Sequence, residues 1–315
     1  MSQPASYLSA EVIGLSAERR LLTALAPAIW GTTYLVTTEF LPPDRPLLAA
    51  VIRALPAGLP LVALTRRLPK GDWWWRSLVL GTLNIGAFLA LLFVAAYRLP
   101  GGIAATLGAL QPLLVAGLST GLLGERLTRR TVLAGVAGVS LLVLQAGARL
   151  DPIGVAAAAG GAVVMATGVV PSKRWTFPAP LPATTGWQLV AGGLVLVPVA
   201  LAVEGAPPAS LSGANLAGYA YLALVGAAFA YALWFRGIRA LPATHVTFLG
   251  LLSPVVATLL GWLVLGRRLT PWQLLGAAIV PAAVVAAQRR PLGRTGADNY
   301  QPLTTAHRAT DAEMV

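Results

Sequence analysis

Cysteine is absent from the chain, which excludes disulfides, thiolate metal sites and cysteine nucleophiles. Histidine occurs twice, at His245 and His307. With one of the two in the C-terminal tail, a multi-histidine metal centre is excluded as well. Charge is also scarce: Asp, Glu, Lys and Arg make up 11% of the residues, against about 25% in a soluble domain. Acids are the rarer sign, 11 against 23 Lys and Arg. Glu39, Asp44, Glu125, Asp151 and Glu204 all fall at the ends of apolar runs or between them, so none of these carboxylates sits in mid-run. A Gly-rich phosphate loop ending in Lys-Ser/Thr is missing too, so ATP is not the direct energy source.

What is present is apolar. Hydrophobic residues are 57% of the chain and the mean hydropathy is +0.73. Uncharged runs near 20 residues follow one another with short charged breaks, the pattern of membrane-spanning helices. The spans fall at about 21–38, 46–65, 77–97, 101–123, 131–147, 152–171, 183–203, 214–235, 242–266 and 271–288. A helix satisfies its own backbone hydrogen bonds in lipid, and the two-residue alternation of a membrane barrel is absent. The expectation is an all-α integral membrane protein of ten transmembrane helices.

The net charge of +12 does not mark a nucleic-acid surface, because the basic residues sit at the ends of apolar runs. They act instead on topology. With the N-terminus inside, the inner segments hold 17 Lys and Arg and the outer loops 5, Arg53 lying within a span. That bias predicts a multi-pass protein of the cell membrane with both termini cytoplasmic. Residues 1–20 form a polar cytoplasmic segment ending in Glu18-Arg19-Arg20. The first apolar run lacks a small-residue cleavage site and reads as a retained span, not a signal peptide. Trp73, Trp74 and Trp75 fit an interfacial aromatic belt. Residues 289–315 read as a disordered cytoplasmic tail.

The chain also repeats itself. Leu99-Pro100, Leu107-Gly108, Leu110, Pro112, Leu118, Leu123-Gly124 and Arg126-Leu127-Thr128 recur 142 residues later as Leu241-Pro242, Leu249-Gly250, Leu252, Pro254, Leu260, Leu265-Gly266 and Arg268-Leu269-Thr270. Twelve of 30 aligned positions are identical without a gap. Two five-helix units follow, 21–147 and 151–288. Five is odd, so the second unit enters the membrane inverted, and inverted repeats place a substrate site near the midplane between them. The Arg267-Arg268 pair, out of place in an outer loop, then copies an inner one.

These residues resemble the EamA family of the drug/metabolite transporter superfamily over about 21–288. Ile29-Trp30-Gly31-Thr32-Thr33-Tyr34 resembles that family's Trp-Gly opening. Residues 48–58, Leu-Ala-Ala-Val-Ile-Arg-Ala-Leu-Pro-Ala-Gly, resemble its second-helix arginine motif, and Leu122-Leu123-Gly124-Glu125-Arg126-Leu127-Thr128 its signature after the fourth helix. The second copy departs from the pattern, with Arg267 in place of the usual Glu. The resemblance implies ten helices and carriage of a small metabolite, often outward.

The candidate cavity residues are Trp30, Tyr34, Arg53, Asn84, Gln111, Tyr231, Trp234, His245 and Ser253. A charge within a span is costly and faces a cavity or a partner, so Arg53 either holds an anionic substrate group or snorkels outward. His245 titrates near neutral pH; it either couples a proton or packs through a hydrogen bond. Pro112 and Pro254 interrupt the fourth and ninth spans beside Gln111 and Ser253, freeing carbonyls. Trp30, Tyr34, Asn84, Tyr231 and Trp234 offer aromatic walls and hydrogen bonds. The Gly160-Gly161 and Gly192-Gly193 runs permit close helix approach.

The expected function is secondary transport of small metabolites, amino-acid-like or other small organic solutes, by alternating access and outward. Its partners would be a small-molecule substrate, the lipid bilayer and a coupled proton or ion. No catalytic residue, metal or cofactor is expected. The alternatives are a multidrug or cation efflux carrier, against which the lack of a mid-membrane acid argues, and a membrane-embedded enzyme, for which the spans lack a relay. Oligomeric state is not legible.

Overall fold

The computed structural model describes residues 5–108, 150–240 and 249–266, with single positions at 111, 114, 271 and 275. Among the described residues every regular element is helical. Helix α1 is Ala5–Phe40 and α2 is Pro46–Thr65. Helix α3 runs over Trp73–Arg98, interrupted by a π-helical segment at Thr82–Ala87. Then come α4 (Gly101–Gly108), α5 (Pro152–Arg174) and α6 (Leu181–Glu204). Helix α7 spans 213–240, with a π-helical segment at Tyr221–Phe229, and α8 is Leu252–Leu263. Five stretches are long and apolar enough to cross a bilayer: Glu18–Phe40, Pro46–Thr65, Trp73–Arg98, Leu181–Glu204 and Gly213–Trp234. The protein is a multi-pass membrane protein; the expected fifth span, nearly all of the tenth, most of the inner half of the fourth and the first residues of the ninth lie outside the described residues.

Helix boundaries differ from the hydropathy reading in instructive ways. The polar segment before residue 21 is helical from Ala5, because its Ala, Leu, Glu and Arg are good helix formers. Trp73 begins a helix, where the sequence reading had it precede one, and is buried against Phe177 and Trp187. Only Trp74 and Trp75 are left exposed as belt residues. In the ninth span a turn at Leu251 separates the helical residues 249–250 from α8. Pro254 lies in the first turn of α8, where its missing N–H is tolerated; the proline restarts the helix and does not merely bend it.

The loops gather at two ends. At one, the Arg45 guanidinium donates to the carbonyl of Glu204, Tyr97 Oη to the carbonyl of Pro42 (2.7 Å) and Asn215 Nδ2 to that of Phe40 (2.8 Å), while Arg98 pairs with Asp151 (3.0 Å). Glu204 also accepts from the Leu47 and Leu48 N–H groups at 2.5 and 3.0 Å, which caps α2 with a carboxylate at its positive end. At the other end Trp187 Nε1 donates to the Arg67 carbonyl (2.7 Å). Trp73, Trp75 and Trp175 there surround the Arg76 guanidinium at 5.4–5.7 Å.

Between the ends, α2 packs along α6, α1 along α7 and α8, α3 along α5 and α6, and α4 against α5 and α8. The contacts are backbone-close where glycine allows it. A Cβ on Gly192 would stand 2.3 Å from the Gly81 carbonyl oxygen and 2.8 Å from the Gly86 nitrogen. The Gly192-Gly193 run thus does what small residues do in membranes. Gly160 does not: its nearest neighbour, Leu91 Cδ1, would be 3.6 Å from an added Cβ. Leucines such as Leu194, Leu201, Leu216 and Leu224 are exposed, as a lipid-facing shell requires.

Candidate functional site

Arg53 is the eighth residue of α2. It does not snorkel: it is 3% exposed and turned into the bundle. Its Nη1 donates to Thr33 Oγ1 and its Nη2 to the Gly226 carbonyl, each at 3.1 Å. The guanidinium lies 5.9 Å from the Phe93 ring centroid, a cation–π approach. Among the described residues no carboxylate pairs with it; the phenols of Tyr231, Tyr34 and Tyr221 lie near it. Among the described residues its Nε has no acceptor.

The Gly226 carbonyl is available for a structural reason. A π-helical turn inserts one residue and disturbs the i→i−4 ladder, and Gly226 lies within that turn of α7. Its oxygen accepts both from Arg53 and from Trp30 Nε1, the latter also at 3.1 Å. Trp30 in turn stands 5.5 Å from Tyr231 and 5.1 Å from Trp234, ring centroid to centroid. Thr32 Oγ1 and Tyr221 Oη share a hydrogen bond of 2.7 Å. Five of the sequence candidates, Trp30, Tyr34, Arg53, Tyr231 and Trp234, therefore belong to one cluster built from α1, α2 and α7.

Asn84 belongs to a second cluster. It lies in the π-helical segment of α3 and is 8% exposed. Its Nδ2 donates to Ser172 Oγ on α5 and to Gln188 Oε1 on α6, both at 3.1 Å. Ser172 Oγ in turn donates to the Gly168 carbonyl at 2.8 Å, and among the described residues Asn84 Oδ1 has no hydrogen-bond partner. Gln111 is helical and half-buried, and Ser253 is half-buried with its carbonyl against Gly31. His245 and Pro112 lie outside the described residues, as does the Glu125–Arg267 mismatch.

The residues missed from the sequence are Thr33, Tyr221, Gly226, Ser172 and Gln188. Gln188 carried the same signal as Asn84, an amide inside an apolar run. Gly226 carried none, because its part is played by a carbonyl that only the π-helical turn frees.

The cluster is a buried cation with no carboxylate beside it among the described residues, walled by aromatic rings, on helices of both halves of the chain. The EamA-like transporter family matches residues 20–144 and 152–287. Protein PecM of Dickeya dadantii is 48% identical over 268 residues, covering 84% of this chain and 90% of PecM. The uncharacterized inner membrane transporter YedA of Escherichia coli is 31% identical, over 82% and 86% of the two chains. A probable amino-acid metabolite efflux pump of Salmonella typhimurium is 27% identical, over 86% and 94%. A protein crystal structure 26% identical superposes with a TM-score of 0.64, covering 87% of this chain and 99% of that one. With the family model matching nearly the whole length in two copies and an all-helical, membrane-spanning fold, the chain belongs to the EamA-like transporter family.

Proposed function

We propose that the protein is a secondary exporter of small organic solutes that bear a carboxylate or similar anion, built from two inverted five-helix repeats and working by alternating access as one helical bundle rocks against the other. Arg53 carries this reading. A guanidinium taken out of water without a counter-ion is costly, and an anionic cargo offsets that cost on arrival. The free Nε–H gives the anion a donor, and Trp30, Tyr34 and Tyr231 give the rest of the cargo an aromatic wall. Outward transport is supported by the efflux pump among the relatives. The excess of Lys and Arg in alternate loops supports cytoplasmic termini.

A cation carrier fits less well, because Arg53 stands in the same aromatic cluster and repels a cation. His245 is the proposed proton-coupling group.

Counterflow in proteoliposomes tests the proposal. Preloaded organic anions should drive accumulation of the labelled anion from outside. Flux of organic cations alone, or no flux over a broad metabolite panel, refutes it.

A further inference from the structure

The two polar clusters are related by the repeat. Asn84 and Gly226 are 142 residues apart, the register in which Leu99 matches Leu241. Both lie in π-helical segments, Thr82–Ala87 and Tyr221–Phe229. Arg53 and Gln188 are likewise each the eighth residue of the second helix of their repeat, Pro46–Thr65 and Leu181–Glu204. Each reaches the π-helical segment of the opposite repeat: Arg53 meets Gly226, and Gln188 meets Asn84. Each cluster also takes a hydroxyl from a first helix, Thr33 in one and Ser172 in the other. A shared ancestry thus leaves two equivalent polar positions, one charged and one neutral.

They lie at different depths. Gly58 packs on Leu189 and Val190, and Gly193 on Ala54 and Leu55, so α2 and α6 run antiparallel past each other. Gln188 is therefore level with the residue after Gly58, six residues beyond Arg53. At 1.5 Å per residue that is about 9 Å along the axis. Gln188 is only half-buried; a mid-span amide opens more favourably onto a polar cavity than onto hydrocarbon. Among the described residues Asn84 Oδ1 is buried without a hydrogen-bond partner and is packed against Gly168, so it braces the cluster and leaves Gln188 as the group turned to the opening.

We propose that Asn84, Gln188 and Ser172 form a second, uncharged cargo station, and that Gln188 sets the charge accepted at the cargo's far end. The cargo class is then an organic monoanion: a carboxylate on Arg53 and an uncharged hydrogen-bonding group about 9 Å away. Both Asn84 Nδ2 hydrogens are taken by Ser172 and Gln188, so the cargo would meet Gln188. Its Nε2 makes only a long 3.4 Å bond to the Thr184 carbonyl and its Oε1 has a second lone pair; that pairing suits an amide, hydroxyl or carbonyl. A second carboxylate there would have no cation to meet. This rests on the transporter reading and on Arg53 as the anion contact.

The test is uptake of four labelled probes into proteoliposomes holding the full chain: hexanoate, adipamate, adipate and 6-aminohexanoate. They share a carboxylate at one end and differ at the other. The native protein should favour adipamate over hexanoate and adipate by about tenfold. Gln188→Glu, which is isosteric, should move the preference to 6-aminohexanoate. Gln188→Met, close in length and uncharged, should bring adipamate down to the level of hexanoate and guards against a folding failure of the charged variant. An unchanged ranking in both variants overturns the second station while leaving the Arg53 site standing. Equal uptake of hexanoate and adipamate by the native protein also overturns it. Failure of all the carboxylate probes overturns the anion reading itself.

Discussion

Replacing Arg53 by methionine separates its two roles. In the folded protein it makes two hydrogen bonds, to Thr33 Oγ1 and the Gly226 carbonyl. Hydrogen bonds from a charged donor are worth about 1.5–3 kcal/mol each, so simple deletion suggests a loss of about 3–6 kcal/mol. The opposing term is the desolvation of an unpaired guanidinium, several kcal/mol even after relaxation. Gly226 is not orphaned, because Trp30 Nε1 still donates to it. Methionine is flexible enough to fill the space beside Phe93. The two terms nearly cancel, and the folding stability of Arg53→Met should change by no more than about 1 kcal/mol.

Anion binding should behave quite differently. Removing one partner of a buried, hydrogen-bonded charge pair costs about 2–5 kcal/mol, which is a rise of about 30-fold to several thousandfold in the apparent dissociation constant. Arg53→Lys keeps the charge but not the planar fork, and should fall between the two. The assay pairs counterflow of a carboxylate-bearing cargo with thermal unfolding in detergent. An unchanged half-saturation concentration in Arg53→Met refutes the anion contact. A large drop in thermal midpoint at unchanged affinity would make Arg53 a structural latch.

Other perturbations test the packing and the capping. Gly192→Ala should cost about 3 kcal/mol, since its Cβ would meet backbone atoms of Gly81 and Gly86 that no rotamer change can move aside. Gly160→Ala, with open contact to Leu91, should stay within about 0.5 kcal/mol in the same thermal unfolding series. Glu204→Ala uncaps the Leu47 and Leu48 N–H groups and should cost about 1–2 kcal/mol. His245→Phe should flatten the pH dependence of transport between about pH 5 and 8; normal flux with an intact profile removes proton coupling from His245. With no native cysteine, Lys70→Cys and Ala206→Cys can each be labelled alone, Lys70→Cys from the cytoplasmic side and Ala206→Cys from outside. The reverse pattern would refute the assigned orientation.

Much of this arrangement is legible in the residue text because lipid simplifies the code. A charge in a span, an amide in an apolar run and a proline at matched points stand out where everything else is Leu, Ala or Val. Arg53, Asn84, Trp30, Tyr34 and Tyr231 were all visible in that way. What the text hid is backbone chemistry. The π-helical segments at Thr82–Ala87 and Tyr221–Phe229 follow no residue pattern, yet they decide where carbonyls come free. Gly226 therefore carries no signal in the residue text, and the acceptor of Arg53 is not legible there. Trp73 misled in the opposite direction: three tryptophans in a row read as an interfacial belt, but the first turns inward onto Phe177 and Trp187. Gly160-Gly161 and Gly192-Gly193 are the same text with different outcomes, because close approach depends on the helix opposite.

The packing also limits what can move. Helices α2 and α6 interlock through Gly58 and Gly193, and α3 and α6 through Gly81 and Gly192, at separations that would not admit a Cβ. Those three helices behave as one block, since sliding them would drive backbone into backbone. Helices α1 and α8 are joined in the same manner through Gly31, whose added Cβ would stand 2.6 Å from the Ser253 carbonyl oxygen. The Arg53 guanidinium lies between these blocks, rooted on α2 and bonded to α1 and α7. A cargo anion at Arg53 would compete with Thr33 and Gly226 for its N–H groups and so weaken a polar link between the blocks. On the transporter reading, binding and release of the cargo are then coupled to the relative position of the two blocks through one side chain. The neutral counterpart, Gln188, links α6 only to Asn84 on α3, within a single block. The asymmetry between Arg53 and Gln188 would thus govern not only which charge is accepted but also which half of the cycle the cargo drives.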